Sequence, residues 1–316
     1  MAICGFGGFA RRRILPALIS TTNVELVAVI DRLMVYSGLP ANIRRFNSLE
    51  ELLESDLAES VYISTPNYLH SEQTLQCLKA GRHVFCEKPM ATNSQDCEYM
   101  LLAAQESALQ LSIGHMLRYS PALVEAKKLI ENGVIGVPRS INTTFYYSVL
   151  ESKRPWAFRK EYSGGGALMD AGIHCIDTIR FLIGGSVRVQ EARMDTNGSG
   201  IDLNAHCCLN VSGVICSFSV CSNAPYSSEL LICGDKAQIV VSNFAACWDT
   251  VTVKHFSYEN NGIVQEAMFD VSKTYAYQID DFAYSIKSQD VNYKSALDSL
   301  ENVKIAERLY EISQII

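Results

Sequence analysis

Several features that would indicate other classes of protein are missing from this sequence. No run approaches the ~20 apolar residues that a membrane-spanning helix needs. The 11 cysteines form no C-x-x-C motif, and no group of cysteines and histidines has the spacing of a zinc site. Basic residues do not predominate either, since 27 Lys and Arg face 34 Asp and Glu, whereas nucleic-acid-binding surfaces are normally basic. We therefore expect no membrane, no metal and no nucleic-acid partner.

The compartment and the number of domains follow from equally simple features. The N-terminus lacks the charged, apolar and cleavage-site regions of a signal peptide, and scattered cysteines in a reducing compartment behave as small buried hydrophobic residues. We expect a cytoplasmic protein. Its 316 residues exceed the roughly 250–300 at which a single core stops growing, which favours two domains.

The first third of the chain alternates short apolar runs with helical segments. Ser48 and Glu51 form a capping box that predicts a helix from Leu49. Further helices are predicted over 68–80 and 94–107, and strands over 2–4, 24–30, 61–64, 83–86 and 109–113. Strands alternating with helices in this way indicate βαβ units and a doubly wound parallel sheet.

Beyond residue 120 the pattern changes. A helix over 122–131 and an extended run over 140–149 precede the glycines 164–166, which open a helix reaching residue 183. Strand-like runs with turn signals then repeat from 187 to 253, and helices over 277–287 and 296–315 follow. This indicates an α+β domain with an open, mostly antiparallel sheet. We expect domains over residues 1–118 and 119–316.

A phosphate-binding fingerprint lies between the first strand and the first helix. The pattern G-x-G-x-x-[GA] is formed by Gly5, Phe6, Gly7, Gly8, Phe9 and Ala10. Its glycines permit a tight turn and a close approach of the backbone to a pyrophosphate, and the helix N-terminus offers N–H donors. The alternative is an ordinary tight turn. A dinucleotide site is favoured because a second strand ends in Asp31, where an acid that binds the ribose belongs.

The two residues after the second strand bear on the choice of dinucleotide. The Asp31 carboxylate would accept hydrogen bonds from the ribose hydroxyls and repel a 2′-phosphate, which favours NAD. The neighbouring Arg32 could lie over the adenine or bind a 2′-phosphate, which would suit NADP. We expect NAD or NADP, with NAD favoured.

Two segments offer candidate catalytic side chains. Lys88 follows Cys86 and Glu87 at a strand's carboxyl end, where ligands gather in open parallel sheets; by itself it would favour an ordinary surface charge. Asp170 and His174 are four residues apart on a helix and share a face. They could instead be a helix-start charge and a satisfied polar residue, but the glycines before them indicate close approach by a ligand or another segment.

These residues belong to a series of motifs that resembles the glucose–fructose oxidoreductase / inositol dehydrogenase / MocA (Gfo/Idh/MocA) family. The motifs, in chain order, are G-x-G at 5–7, V-I-D-R at 29–32, S-T-P-N-x-x-H at 64–70, A-G-x-H-V-x-C-E-K-P at 80–89, H-x-x-R-Y-x-P at 115–121, N-G-x-I-G at 132–136 and G-G-G-x-x-x-D-x-G-x-H-x-x-D at 164–177. The chain departs from the pattern in its short first strand, in the abbreviated segment after Asp31, and in having Ala10 as the third fingerprint residue.

The resemblance implies an α/β N-terminal Rossmann domain, an α+β C-terminal domain and a site between them. It implies that Lys88, Asp170 and His174 are catalytic. The implied cofactor-binding residues beyond the fingerprint and residues 31 and 32 are Thr65, Pro66, Asn67, His70, Glu87 and Lys88. The implied substrate-binding residues are His115, Arg118, Trp156 and Arg159, together with the three catalytic side chains.

The activity implied is hydride transfer between a nicotinamide and a hydroxyl-bearing carbon of a sugar, cyclitol or related polyol. His174 would take the hydroxyl proton, since an ordinary histidine pKa of ~6.5 suits general-base work, and Lys88 would stabilise the developing alkoxide. A trans-dihydrodiol dehydrogenase-like activity, an NAD-assisted lyase or hydrolase, and a non-catalytic dinucleotide sensor are the alternatives. A homodimer or homotetramer through the C-terminal sheet is also expected.

Overall fold

The computed structural model describes residues 1–30, 39–149, 155–198, 200–257 and 262–315. They form two compact units, the first comprising Met1–His115 with Tyr275–Glu301 and the second comprising Met116–Thr274 with Asn302–Ile316. The boundary after residue 118 stays a prediction, and the stretch 275–301 groups with the first unit. Within the described ranges, no helix is both long enough and apolar enough to cross a membrane.

The first unit contains a six-stranded sheet in which every hydrogen-bonded pair is parallel. Its strands are β1 (Ala2–Cys4), β2 (Ala28–Ile30), β3 (Arg44–Phe46), β4 (Ser60–Ile63), β5 (His83–Cys86) and β6 (Leu111–Ile113). Their order in the sheet is β3-β2-β1-β4-β5-β6. Every residue of β1, β2 and β4 is buried, as expected when helices cover both faces. The predicted doubly wound sheet is confirmed. Its strand order reverses between β1 and β4, and ligands of doubly wound sheets generally bind at the carboxyl ends of the strands at such a point.

Local capping sets several helix starts in this unit. The helical elements are a π-helical segment Ala10–Ile14, α1 (Leu15–Ser20), α2 (Leu49–Glu54), a 3₁₀ turn Asn67–Leu69, α3 (His70–Lys79) and α4 (Ser94–Ser107). Ser48 Oγ accepts a hydrogen bond from Glu51 N–H at 3.2 Å, which confirms the predicted cap. Asn93 Oδ1 accepts one from Asp96 N–H at 2.8 Å. These caps satisfy N–H groups that a helix leaves without partners.

The segment from 275 to 301 packs on the first unit through specific side chains. It contains most of α8 (Thr274–Lys287) and the start of α9 (Lys294–Ile312). The ring of Phe282 meets that of Phe85 edge-on at 5.4 Å, and Ser295 Oγ accepts a hydrogen bond from Ile113 N–H at 3.1 Å. These contacts join helices that are late in the sequence to β5 and β6.

The second unit contains a nine-stranded sheet in the order β14-β13-β12-β11-β7-β10-β9-β8-β15. Its strands are β7 (Pro138–Ser148), β8 (Val187–Thr196), β9 (Asp202–Val211), β10 (Val214–Cys221), β11 (Asn223–Gly234), β12 (Ala237–Ser242), β13 (Thr250–Ser257), β14 (Gly262–Asp270) and β15 (Gln314–Ile315). The pairs are antiparallel except for β7 with β10 and β8 with β15. The predicted mostly antiparallel sheet is confirmed. The helical elements here are 3₁₀ turns Met116–Tyr119 and Pro155–Phe158, α5 (Pro121–Glu131), α6 (Lys160–Ser163), a π-helical segment Leu168–Gly172 and α7 (Ile173–Ile183).

A buried carboxylate fixes the start of the helical segment that leads into α7. Asp202 accepts hydrogen bonds from the N–H groups of Gly166 and Leu168, both at 2.7 Å, and from the hydroxyl of Tyr310 at 2.7 Å. A Cβ on Gly166 would lie 1.9 Å from the Asp202 carbonyl oxygen, and one on Gly165 would lie 2.0 Å from the Tyr310 hydroxyl. These two glycines are therefore required by close packing within the unit.

We expect Asp202→Ala to lower the free energy of unfolding by about 2–4 kcal/mol, because two buried N–H groups would lose their acceptor at about 1–3 kcal/mol each. Urea denaturation followed by circular dichroism measures the change. Asp249→Ala, at an exposed position of the same unit, is the matched control and should change stability by less than about 0.5 kcal/mol. Equal effects of the two substitutions would contradict this role of Asp202.

Candidate active site and cofactor-binding loop

The turn after β1 approaches the next strand end so closely that its first residue must be glycine. Gly5 has a φ of +91°, and a Cβ on it would lie 2.8 Å from backbone atoms of Ser64 and Thr65. The N–H groups of Gly5 and Phe6 both donate to the Ile30 carbonyl, at 3.0 and 3.2 Å. The fingerprint thus ties together the ends of three neighbouring strands, and φ > 0 is available to glycine at little cost.

The outer part of this turn carries donors suited to a diphosphate. Gly7, Gly8 and Phe9 are exposed, while Ala10 is buried. Helical backbone begins at Gly8, directly before the π-helical segment Ala10–Ile14. The first N–H groups of a helix have no acceptor within it, which makes them available to an anion. A Cβ on Gly8 would lie 3.0 Å from Arg12 Nη1, so a guanidinium lies against the turn. Backbone donors beside a cation fit the diphosphate of a dinucleotide.

The loops after β4 and β5 are joined by a buried histidine. His70 is 1% exposed; its Nδ1 lies 2.9 Å from the Pro89 carbonyl oxygen and its Nε2 lies 2.9 Å from that of Thr65. Burial lowers the pKa of His70, and the two carbonyls oppose that effect. Pro66 and Asn67 are half-buried in the first of these loops. The position of His70 suits holding these two loops together.

Glu87 is a buried acid whose side chain accepts hydrogen bonds from neighbouring residues. The Tyr62 hydroxyl donates to its Oε1 at 2.5 Å, the Lys88 N–H donates to its Oε2 at 3.3 Å, and a Cβ on Gly114 would lie 3.0 Å from the carboxylate. Burial raises the pKa of Glu87 from 4.5 to about 7, although the Tyr62 hydroxyl and the Lys88 charge favour the ionised form. Lys88 itself is half-buried, and its bond to Pro89 is cis.

In the second unit, Asp170 and His174 lie where a π-helical segment passes into α7. π-Helical turns inside helices occur frequently at functional sites. The hydroxyl of Tyr147, on β7, donates to Asp170 Oδ2 at 2.9 Å, and the ring of Phe145 lies 5.9 Å from the His174 ring. His174 is 6% exposed, whereas Asp170 and Tyr147 are half-buried. A carboxylate, a phenol and an imidazole are thus collected beside one strand.

Three other residues predicted to bind substrate, Arg118, Trp156 and Arg159, also lie in the second unit. The Arg118 guanidinium binds the Asp177 carboxylate in a bidentate pair, with Nε–Oδ2 at 2.9 Å and Nη2–Oδ1 at 2.7 Å. Asn302 adds a third donor to Asp177 at 2.8 Å. This geometry gives Arg118 a partner inside the second unit. Trp156 is half-buried, and Arg159 is exposed with its guanidinium 5.6 Å from the Tyr162 ring.

The remaining predictions concern His115, the pair Asp31 and Arg32, and a metal site. His115 is 2% exposed and follows β6 in the first unit. Asp31 and Arg32 lie outside the described residues, so the preference for NAD over NADP stays a prediction. In the described part of the chain, no three His, Cys, Asp or Glu side chains are grouped to hold a metal.

Sequence reasoning missed three polar residues that complete these sites. Tyr62 could have been found, because a tyrosine inside a buried strand requires a partner for its hydroxyl. Tyr147 shares a strand face with Phe145, since side chains alternate along a strand, but nothing local connects it with Asp170. Asp202 carried no local signal, since its partners are about 35 and 110 residues away in the chain.

The raised pKa of Glu87 predicts a pH-dependent difference in stability between the wild type and Glu87→Gln. Because the folded protein holds the Glu87 proton up to about pH 7 and the unfolded chain releases it near 4.5, wild-type stability falls as the pH rises through this window, by up to about 3 kcal/mol. The glutamine variant is neutral throughout. Urea unfolding of both proteins at about pH 5 and about pH 8 measures the difference, and parallel pH dependences would refute the assignment.

Two family models match the chain. A model described as "Oxidoreductase family, NAD-binding Rossmann fold" matches residues 1–115, and the GFO/IDH/MocA C-terminal domain matches residues 123–240. Together they cover well over half of the chain.

Curated relatives and solved structures agree with this. The chain is 32% identical over 185 residues to a 1,5-anhydro-D-fructose reductase from Ensifer adhaerens, covering 57% of this chain and 55% of that protein. It is 36% identical over 139 residues to a 2,7-anhydro-N-acetylneuraminate hydratase from Escherichia coli (strain K12), covering 44% and 37%. The chain therefore spans about half, or less, of the length of these relatives.

A 3-ketoreductase from Actinomadura kijaniata, solved with NADP and TDP-benzene, has a TM-score of 0.90 at 21% identity, covering 100% of this chain and 98% of that one. At this identity the likeness shows the fold. With both family domains matched in order, the predicted resemblance is confirmed: the chain belongs to the Gfo/Idh/MocA oxidoreductase family and carries its NAD-binding Rossmann domain.

Proposed function

We propose that this chain is an NAD(P)-dependent oxidoreductase that transfers a hydride between the nicotinamide and a hydroxyl-bearing carbon of a sugar, cyclitol or related polyol. The observation that carries the proposal is the grouping of Asp170, Tyr147 and His174 in a member of this family. A carboxylate, a phenol and an imidazole can accept and donate several hydrogen bonds, which suits a ligand with many hydroxyls. The similarity to a reductase of an anhydro-sugar supports the same substrate class.

The residues divide the chemistry as follows. A bound nicotinamide supplies the hydride acceptor or donor. His174 takes the proton of the reacting hydroxyl during oxidation and returns it during reduction. The Lys88 ammonium can donate a hydrogen bond to an oxygen that develops negative charge and so stabilise it. Asp170, held by Tyr147, binds a neighbouring substrate hydroxyl or orients the imidazole.

A second candidate is an NAD-assisted lyase or hydrolase, which the similarity to a hydratase favours. Such an enzyme would use the same proton-transferring side chains but return the hydride to the product. A panel of sugars, cyclitols and their oxidised forms, assayed with NAD and with NADP, separates the two. Net formation or consumption of reduced nicotinamide supports the dehydrogenase, whereas product formed without any net change supports the second candidate.

We also propose that copies of the chain associate through the second sheet. Ile215 on β10 and Met268 on β14 are 61% and 75% exposed, and the pairing register places both on the same face of the sheet. Burial of such side chains would favour a homodimer or homotetramer. Light scattering on the purified protein tests this, and a monomer at micromolar concentration would contradict it.

We expect Lys88→Ala and His174→Ala each to lower turnover by at least about 10²-fold, the usual minimum contribution of a positioned acid–base group. Dinucleotide affinity, measured by isothermal titration, should stay within a few-fold of the wild type in the His174 variant. Lys287→Ala, at an exposed lysine on α8, is the control for loss of a positive charge. Wild-type turnover in either catalytic variant would reject these assignments.

Tyr147→Phe should lower kcat/KM by about 10–100-fold, because a hydrogen bond to a charged group is worth about 1.5–3 kcal/mol. Tyr146→Phe is the matched control, since adjacent residues of a strand point to opposite faces. If Tyr147 acts through Asp170, its substitution in an Asp170→Ala background should have little further effect. Fully additive losses would show that Tyr147 acts independently of Asp170.

A further inference from the structure

A series of aromatic rings in successive contact begins beside His174 in the second unit. The Phe145 ring lies 5.9 Å from that of His174, the Tyr226 ring lies 6.1 Å from Phe145, and the Trp248 ring lies 5.5 Å from Tyr226. We call Phe145, Tyr226 and Trp248 the aromatic row. Each separation is comparable to the width of a sugar ring, so the three rings together offer more surface than one sugar ring would cover.

The outer rings of the row are exposed although they are large and apolar. Tyr226 is 42% exposed and Trp248 is 48% exposed, while Phe244, 6.3 Å from Phe145, is fully buried. Single exposed hydrophobic side chains are common, but a contiguous exposed set often marks a binding surface. The row is continuous with the candidate active site through Phe145.

One buried serine bonds both to Tyr226 and to the turn that carries Trp248. The Tyr226 hydroxyl lies 3.1 Å from Ser228 Oγ, and the same oxygen accepts a hydrogen bond from Ala245 N–H at 3.2 Å. Ala245 belongs to the turn between β12 and β13 that carries Trp248, and Ser228 is 0% exposed. Holding aromatic rings in place before a ligand arrives lowers the entropic cost of binding.

The charge around the row favours a neutral ligand. Burial raises the pKa of Tyr226, and the negative charge of Glu229 adds to this effect, so the phenol stays neutral and can donate a hydrogen bond. Asp249 follows Trp248 and is exposed. A diphosphate-linked group would be repelled by the Asp249 carboxylate, whereas the C–H face of a sugar ring packs on tyrosine and tryptophan and its hydroxyls reach their polar tips.

We propose that the aromatic row is a second subsite, which binds a neutral sugar ring joined by a glycosidic bond to the ring that reacts at His174. The substrates would then be disaccharides or larger glycosides rather than free monosaccharides. This inference rests on the proposed function for the identity of the reacting ring.

Binding of matched sugars, measured without turnover, tests the subsite. Glucose, maltose, cellobiose and lactose are titrated into the NAD-containing protein and followed by saturation-transfer NMR and calorimetry. At least one disaccharide should bind about tenfold more tightly than glucose, as expected for one or two stacked rings. Trp248→Ala should abolish that preference and leave glucose affinity within about twofold, and Trp248→Phe should retain part of it.

Tyr284→Ala, at a tyrosine that is 68% exposed on α8, is the matched control and should keep the preference. Equal affinity of the wild type for glucose and every disaccharide, or an unchanged preference in Trp248→Ala, would overturn the subsite. Tighter binding of UDP-glucose than of all disaccharides, lost in Trp248→Ala, would overturn its neutral character. A disaccharide preference without any turnover would leave the subsite standing and count against the proposed function.

Discussion

The hydrogen bonds that the Asp202 carboxylate accepts are the interaction on which the candidate site of the second unit depends. It accepts two backbone N–H groups at the start of a helix and the hydroxyl of Tyr310, and so fixes where that helix begins. The position of the helix in turn sets the positions of Asp170 and His174, because side chains on a helix follow its start by a fixed geometry. With the helix held in this way, Tyr147 on a separate strand reaches Asp170 at hydrogen-bonding distance.

Both units contain the same kind of buried hydrogen-bonded pair, an acid with a tyrosine. Each buries a carboxylate, Glu87 in the first and Asp202 in the second, and each supplies a buried tyrosine, Tyr62 or Tyr310, as a donor. Burial raises the pKa of both tyrosines far above their usual range, and the neighbouring acids add to that effect. The phenols therefore remain neutral donors, and a fully satisfied buried network of this kind makes its surroundings rigid.

Local patterns predicted the parts of the fold that are determined locally. The helix at 94–107, the strand at 83–86 and the Ser48 cap were all readable, because periodicity and capping act over a few residues. The strand expected over 24–30 is only Ala28–Ile30, since β-branched composition does not determine where pairing begins. Arg118 lies in a family motif, yet its pairing with Asp177 depends on a contact 59 residues away. Such long-range partners, like those of Asp202, leave no signal in one sequence.

In the proposed reaction a carbon-bound hydrogen moves from a polyol to the nicotinamide while His174 takes the hydroxyl proton. Its most direct test is the mass of the reduced nicotinamide formed from a fully carbon-deuterated sugar that the enzyme turns over. The account predicts that the reduced cofactor carries one deuterium and that His174→Ala forms it far more slowly. Reduced cofactor without deuterium, or sugar converted with no reduced cofactor at all, would contradict it.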